Sequence, residues 1–430
     1  MPKPQHYGLD STVQIYGTTV IGGSPLKLFR LTEAGAALVS MISAGDPVND
    51  SPLTAALLDA GAIHPVGRTP LHTAADVTVV VPTLGPAERA PRDAIIVDDG
   101  SQPPVPNATL RLTNNQGPGA ARNAGLALVT TSLVAFVDSD VELADGWLEP
   151  LLAHFADDRV ALVAPRIRTD SDDTALGKYE HEHSSLDLGP WPARVRAGTR
   201  VGYVPAATIV CRADAVREIG GFDTSLRYGE DVDLVWRLVH AGWVCRYEPA
   251  SEVRHARRPD ARSWIRQRIG YGSSTAPLAK RHPRSVAPLR MSGWSIAAWT
   301  LGAVGRPVAG ALVGAGSAIA LIKKLPDIPP RTALRIAGLG NLRAADQIGS
   351  AVRRAWWPLL VVAACRFKSA RKVLLAAAVS ARKPLRLVDD LAFSVGVWKG
   401  MLAERTLGPL VPEISSWPGR SKPVPPAAVR

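Results

Sequence analysis

Leu133-Val134-Ala135-Phe136-Val137-Asp138-Ser139-Asp140 decides how this chain reads. Five apolar residues in a row, with no polar alternation, describe a strand buried on both faces, as in a parallel sheet covered by helices. The run ends in two carboxylates one residue apart. Carboxylates at the carboxyl end of such a strand sit where open α/β sheets bind ligands. At this spacing, Asp138 and Asp140 can hold a hard, oxygen-seeking cation such as Mg2+ or Mn2+.

Working outward, Ala94-Ile95-Ile96-Val97 is a second buried strand, ending in Asp98-Asp99-Gly100-Ser101. Val77 to Pro82, Val160 to Ala164 and Val244 to Tyr247 read as further strands, with helices over Ala120 to Val129 and Gly146 to Ala156. The alternation predicts an α/β nucleotide-binding layout around a mostly parallel sheet. A parallel crossover takes about a dozen residues or more and usually contains a helix. Pro86 and Pro91 leave little helix between Pro82 and Ile95, so the first crossover is predicted to be short.

Between these strands lies Asn115-Gln116-Gly117-Pro118-Gly119-Ala120-Ala121-Arg122-Asn123-Ala124-Gly125. Its glycines let backbone approach a ligand, and Arg122 is placed to hydrogen-bond a nucleotide. Downstream, Gly229-Glu230-Asp231-Val232-Asp233 opens a helix. Asp231 is the expected general base, taking a proton from an attacking hydroxyl. Glu230 binds the acceptor or holds Asp231, and Asp233 answers the helix dipole. His255 follows the last strand as an expected third metal ligand, and Arg257, Arg258, Arg262, Arg266 and Arg268 offer charge to a departing diphosphate. Taken singly, each cluster also reads as a turn, a dipole residue or a structural histidine. Their order along one α/β domain favours a common site.

The chain has 430 residues, 46% hydrophobic and 20% charged, enough for two or three packed domains. Residues 11–66 contain two strand-like runs around Gly22-Gly23-Ser24-Pro25 and two helices, the first over Glu33 to Ser43 behind Thr32, the second behind Ser51-Pro52. That pattern predicts a small winged-helix-like α+β module over 1–73, similar to peptide-binding domains in the biosynthesis of peptide-derived cofactors. The α/β domain is expected over 74–285, a helical basic region over 286–414 and a disordered, proline-rich tail over 415–430. Three scattered cysteines give no disulfide framework, and no apolar run follows Met1, so a reducing cytoplasm without a secretory signal is expected.

The net charge of +12 is uneven. Residues 254–290 carry ten Lys/Arg against Asp260 alone, and 291–430 carry twenty against six acids, leaving the first 253 net acidic. No recognition motif accompanies the basic part, so phosphates or an anionic bilayer are its expected partners, not nucleic acid. Apolar runs at 296–304 and 308–322, and shorter ones flanked by Arg353-Arg354, Arg366, Lys368, Arg371 and Lys372, predict membrane contact. The cytoplasmic face of the membrane is the expected location, with room for one kinked span around 296–322.

Across 76–285, the ordered motifs resemble the inverting family-2 glycosyltransferases of the GT-A nucleotide-diphospho-sugar transferase fold. The resemblance puts the nucleotide base on Asp98 and Asp99; donor binding is also expected of Pro82, Thr83, Arg122, Asn123 and Ser139. The resemblance puts the metal on Asp138 and Asp140, which His255 is expected to join, and the catalytic base on Asp231, with Glu230 expected beside it. The Gln-x-x-Arg-Trp motif of processive synthases is missing, with Gln267-Arg268-Ile269-Gly270-Tyr271 near its place. A mobile substrate loop is expected at Tyr271-Gly272. Over the whole chain, the N-terminal unit, Gly220-Gly221-Phe222-Asp223, Arg227 to Arg237 and Tyr271 to Ala279 look like the mycofactocin-system glycosyltransferases of actinobacteria. That likeness implies a UDP-glucose donor, β-glucosyl transfer and a peptide-derived redox cofactor precursor, premycofactocin, as acceptor. Two alternatives stand beside it: a membrane-associated rhamnosyl or galactosyl transferase for cell-envelope glycan, and a peptide-carrier scaffold whose catalysis is impaired by the short crossover.

Overall fold

The structure is a computed structural model that describes residues 4–258 and 260–416. The chain divides into two compact units, Met1–Ser263 and Trp264–Arg430.

The first unit opens with a small α+β module. Strands β1 (Tyr7–Leu9) and β5 (Ile63–Pro65) pair antiparallel, and β2 (Gln14–Tyr16), β3 (Thr19–Gly22) and β4 (Lys27–Arg30) form an antiparallel meander. The sequence reading missed β3. Gly17, at φ 57°, turns the chain after β2, so Thr19 to Gly22 becomes the middle strand and the Gly-Gly-Ser-Pro turn joins it to β4. Helix α1 (Glu33–Ala44) begins behind Thr32, whose hydroxyl accepts from the Gly35 N–H at 3.2 Å. Helix α2 (Pro52–Asp59) begins with a reciprocal Ser51–Thr54 cap. Tyr7, Val20, Ile42, Leu57 and Ile63 close a separate small core.

The rest of this unit is built on a nine-stranded sheet. Its strands are β6 (Val77–Thr83), β7 (Ile95–Asp98), β8 (Leu110–Arg111), β9 (Leu133–Val137), β10 (Val141–Leu143), β11 (Val160–Thr169), β12 (Ala193–Val195), β13 (Thr208–Arg212) and β14 (Val244–His255). They lie in the order β10-β14-β11-β13-β9-β6-β7-β8, with β12 also on β14. Six strands point one way; β10, β12 and β13 run against them. The expected mostly parallel α/β sheet is therefore present, with one reversed strand inside it. All of β9 is buried, and Val81, Ile96, Leu133, Phe155, Val163 and Val253 lie in one core. No helix joins β6 to β7, which pair directly from Val80–Ile95 to Thr83–Asp98.

Helices α3 (Pro118–Leu126), α4 (Glu149–Leu152), α5 (Ala175–His183), α6 (Ala213–Glu218) and α7 (Glu230–His240) complete the unit. Helix α3 lies so close to the sheet that a Cβ on Gly125 would overlap the Val80 side chain. Helix α7 is strongly amphipathic: Leu234, Val235 and Leu238 are buried, and its carboxylates lead the first turn.

The second unit is mainly helical. Most of α8 (Ala261–Ser273) lies in it, followed by α9 (Thr275–Arg281), α10 (Gly293–Ala303), α11 (Pro307–Lys324), α12 (Pro330–Ala351), α13 (Trp357–Arg366), α14 (Lys368–Ser380) and α15 (Pro384–Glu404). Tyr271 and Gly272 are helical in α8, so the expected substrate loop is not there. Gly272 and Gly396 let α8 and α15 cross backbone to backbone; a Cβ on Gly396 would overlap the Ile269 carbonyl oxygen. Arg353, read from sequence as a membrane flank, is instead 4% exposed and binds Asp390 at 2.6 Å, the Ala377 carbonyl and Ser380. Strand β15 (Arg290–Ser292) pairs parallel with β16 (Glu413–Ser416), so the first residues of the predicted disordered tail form a strand. Residues 417–430 of that tail lie outside the described residues.

Candidate active site

The parallel strands β6, β7, β9, β11 and β14 all end on one rim of the sheet. Because β13 is reversed, its first residues reach the same rim: the Asp138 N–H donates to the Ala207 carbonyl at 2.9 Å. Asp138 and Asp140 follow β9 directly, and β10 then doubles back along the end of β14. That pairing sets Val141 opposite His255, and the Ala256 N–H donates to the Asp140 carbonyl at 3.0 Å. Local register thus carries His255 to the Asp-x-Asp turn, although 115 positions separate it from Asp140 in the chain.

Asp138, Asp140 and His255 offer one ligand atom each within 4.8 Å of one another. His255 Nδ1 lies 2.6 Å from the Ala256 carbonyl, which only accepts, so this nitrogen carries the proton. In a neutral ring Nε2 is then a lone pair, and it faces Asp140 Oδ1 at 3.2 Å. Two lone pairs set face to face suit a cation, and a ring held by a backbone carbonyl is how metal-binding histidines are commonly oriented. Arg258 Nη1 lies 3.7 Å from the other Asp140 oxygen.

Arg122 joins this cluster to helix α7. It is 3% exposed and donates from Nη2 to Asp138 at 2.7 Å and from Nη1 to Glu230 at 2.8 Å. Its guanidinium lies 5.3 Å from the centre of the Phe222 ring, which meets Phe136 edge-on. Burial works against its charge, but Asp138 and Glu230 outweigh that and raise its pKa. Burial and the neighbouring Asp231 carboxylate push Glu230 up to about 7 against the pull of Arg122. Burial likewise raises Asp231, opposed by Arg122 and by the N–H groups of Val232 and Ala206. Those two N–H groups fix the carboxylate, Val232 on Oδ1 at 2.8 Å and Ala206 on Oδ2 at 3.2 Å. Asp231 is thus oriented by its own helix and by the reversed strand's entry segment. Asp233 is fully buried and pairs with Arg237 at 2.7 Å.

Other residues predicted to touch the donor are placed differently. Asp98 is wholly buried and accepts from the Ser101 and Val105 N–H groups and from Arg111. Although burial pushes its carboxyl up, these partners hold it below the usual range. It holds the loop after β7. Asp99 accepts from the Gln116 and Gly117 N–H groups at 2.7 and 2.8 Å, pinning the loop that opens α3. Asn123 pairs through both ends of its amide with the backbone of Phe222. Pro82 lies buried in β6; the Thr83 hydroxyl donates to the Gly85 carbonyl, and the Thr83 carbonyl accepts from the Asp99 N–H. Ser139 is half-buried in the turn between Asp138 and Asp140. Arg122 is a bridge between acids, not a surface contact. The parts that sequence reading missed are Phe222 beneath Arg122, the backbone of Ala206 and Ala207, and Arg227 Nη1, which donates to Asn115 at 2.5 Å. The Gly220-Gly221-Phe222-Asp223 stretch was the available signal.

Comparison with known proteins agrees with this architecture. The model of glycosyl transferase family 2 matches residues 88–215. The chain is 40% identical to the pre-mycofactocin glycosyltransferase of Mycobacterium tuberculosis, over 93% of this chain and 95% of that protein. A human probable polypeptide N-acetylgalactosaminyltransferase 8 is 28% identical over 35% of this chain and 26% of its own length. A Pyrobaculum calidifontis mannosyltransferase, solved with GDP-Man and Mn2+, aligns over 79% of this chain and 90% of its own at 16% identity and a TM-score of 0.44. Near-complete coverage of the mycobacterial relative, on a chain that carries a family-2 glycosyltransferase domain, makes this chain a member of the pre-mycofactocin glycosyltransferase family.

Proposed function

We propose that this glycosyltransferase moves glucose from UDP-glucose to pre-mycofactocin, in β linkage, by a single inverting displacement aided by a divalent cation. The observation that carries the mechanism is the Arg122 bridge, which brings the Asp138 cluster and the first turn of α7 together. The acceptor rests on the name of the mycobacterial relative, and the donor on the family resemblance. Asp138, Asp140 and His255 would hold the cation, which when bound would draw charge from the leaving diphosphate. An imidazole in the ligand set favours Mn2+ over Mg2+. Asp231 takes the acceptor hydroxyl proton as that oxygen bonds to the anomeric carbon and the bond to the diphosphate breaks. Its raised pKa suits a carboxylate that removes a proton near neutral pH. Glu230 and Arg122 hold the helix start, and Arg258 lends positive charge beside Asp140.

Purified protein is to be given UDP-glucose and other nucleotide sugars with Mn2+, with pre-mycofactocin or a polyprenyl phosphate as acceptor, and the products weighed. Hexose on pre-mycofactocin from UDP-glucose is the expected result. Sugar on the polyprenyl phosphate alone would transfer the assignment to cell-envelope glycan.

The second unit is proposed to lie on the anionic cytoplasmic face of the membrane. Helix α11 is long and apolar enough to cross a bilayer by length and composition, and only 6% of its apolar window is buried. Val308, Leu312, Val362, Leu375 and Val379 are exposed on α11, α13 and α14, and Lys323-Lys324, Lys368, Arg371 and Lys372 stand near them in sequence. Apolar side chains flanked by cations match a surface-lying helix. Helix α12, packed against α11, carries Arg331, Arg335, Arg343 and Asp346, which suits the interface better than the hydrocarbon core. Flotation with anionic vesicles should capture the protein, and Leu312→Glu should weaken capture; equal capture by neutral vesicles would oppose this reading.

A further inference from the structure

The amino end of β14 carries a buried charge that no carboxylate meets with a hydrogen bond. Arg246 lies nine residues before His255 on this strand, toward the opposite end of the sheet from the catalytic rim. At about 3.3 Å per residue that is up to about 30 Å away. Arg246 is 4% exposed, and its Nε is buried without a hydrogen-bond partner. Directly opposite it across the β12–β14 ladder stands Arg194, and like charges in such a pair repel. Arg194 reaches Asp59 through Nη1 at 2.6 Å, but its Nε is also buried and unpartnered. Arg68, just after β5, has a third buried, unpartnered Nε–H, and its guanidinium lies 5.9 Å from the Tyr7 ring centre.

Among the described residues, no carboxylate is hydrogen-bonded to Arg246, and those nearby have other partners, Asp50 taking the Tyr7 hydroxyl at 2.7 Å. Asp157 is the acid whose charge reaches Arg246, and Arg159 holds both of its oxygens at 3.0 and 2.9 Å. Glu248, two residues along β14, takes His154 Nε2 at 2.8 Å. Asp59 serves Arg194 and, at 3.7 Å, Arg196. The cluster is therefore short of negative charge where it is most buried. Burial together with Arg68, Arg194 and Arg159 pulls the Arg246 guanidinium down to about 10 despite Asp157. Leaving a charge buried and unpaired is strongly unfavourable, and an oxyanion accepting several N–H bonds would relieve it.

We propose that Arg246, Arg194 and Arg68 form an anion-binding site for a phosphate or carboxylate group, where the N-terminal module meets the rear of the sheet. Two sources share this chemistry: a free phosphate, and the terminal carboxylate of a peptide. The site lies outside the catalytic machinery, so its loss leaves sugar transfer intact.

The test is thermal melting and calorimetric titration of the full chain with inorganic phosphate at ionic strength matched by chloride. A parallel arm compares acetylglycine with its amide, which lacks the carboxylate. Wild type should show saturable stabilisation by phosphate, by acetylglycine but not its amide, or by both, which identifies the source. Arg246→Met should weaken that response at least about tenfold, keep normal sugar transfer and melt above wild type in anion-free buffer. Arg68→Met, at a half-buried position, gives the same test if Arg246→Met does not fold. No saturable response in wild type, or an equal response in the variants, would mean that water alone solvates the cluster and would overturn the site.

Discussion

Arg122 is the residue on which the site depends. It carries one charge between two acids from distant parts of the chain, so its loss leaves both facing each other in a buried space. Removing one partner of a buried ion pair costs about 3–5 kcal/mol; Arg122→Met should lose that much in denaturant melts. Arg122→Lys should recover only part of it, since a single ammonium cannot fork to two carboxylates. The acids themselves set the pH response. Burial raises both Glu230 and Asp231 above the ordinary carboxylate range, so the base should be lost, as pH falls, at a higher pH than an ordinary aspartate would be. Glu230→Gln leaves Asp231 a larger share of Arg122, whose charge lowers it, so the acid limb of the pH–rate profile should move to lower pH. Stability runs the other way. A carboxyl raised in the fold holds its proton more tightly there than in the open chain, so its contribution is present below about 4.5 and lost as pH rises through about 7. For Glu230 that is on the order of 3 kcal/mol, visible as a lower melting temperature of metal-free protein at pH 8 than at pH 5. Residue types and order were legible in the sequence; their partners were not. Asp98 and Asn123 carry the donors and acceptors expected of ligand contacts, yet the fold gives those atoms to backbone and, for Asp98, also to Arg111. Hydrogen-bonding capacity can be read from a chain, but who takes it up depends on segments a hundred residues away.

At the scale of elements, continuous apolar runs were the readable signal. The strands from Val77, Ile95, Leu133, Val160 and Val244 appear close to where periodicity puts them. Strand β13 was missed because Thr208-Ile209-Val210-Cys211-Arg212 is short and follows a Pro-Ala-Ala segment that reads as loop. Its reversal matters, since it delivers the Ala206 N–H to Asp231. The α8–α15 crossing was also illegible: spaced glycines do not announce which helix they meet. Gly396→Ala drives a methyl group into the Ile269 carbonyl, so it should destabilise the second unit by about 1–3 kcal/mol, seen as a lowered melting temperature. His255 shows the converse. A lone histidine became a credible ligand only because it ends a strand, and β10 holds that end beside Asp140. Asp140→Asn should weaken Mn2+ binding at least about tenfold, as losing even an outer partner of a metal ligand does, measured by calorimetry without donor or acceptor.

For the whole molecule, charge asymmetry was the clearest forecast, and the structure qualifies it. Some of the basic residues after 253 lie on the surface, but Arg268 and Arg353 are ion-paired inside the second unit. Net charge therefore overstates what that unit can offer a bilayer. The central claim concerns the first unit: one rim collects a cation site and a proton acceptor, tied by a single arginine. The most direct measurement compares Asp231→Asn with wild type for single-turnover sugar transfer to pre-mycofactocin and for equilibrium binding of the sugar nucleotide with Mn2+. Transfer reduced by about 10²–10⁴-fold with donor affinity preserved is the predicted result. Unchanged transfer, or loss of donor binding in step with transfer, would contradict the role given to Asp231 and the division of labour along the rim.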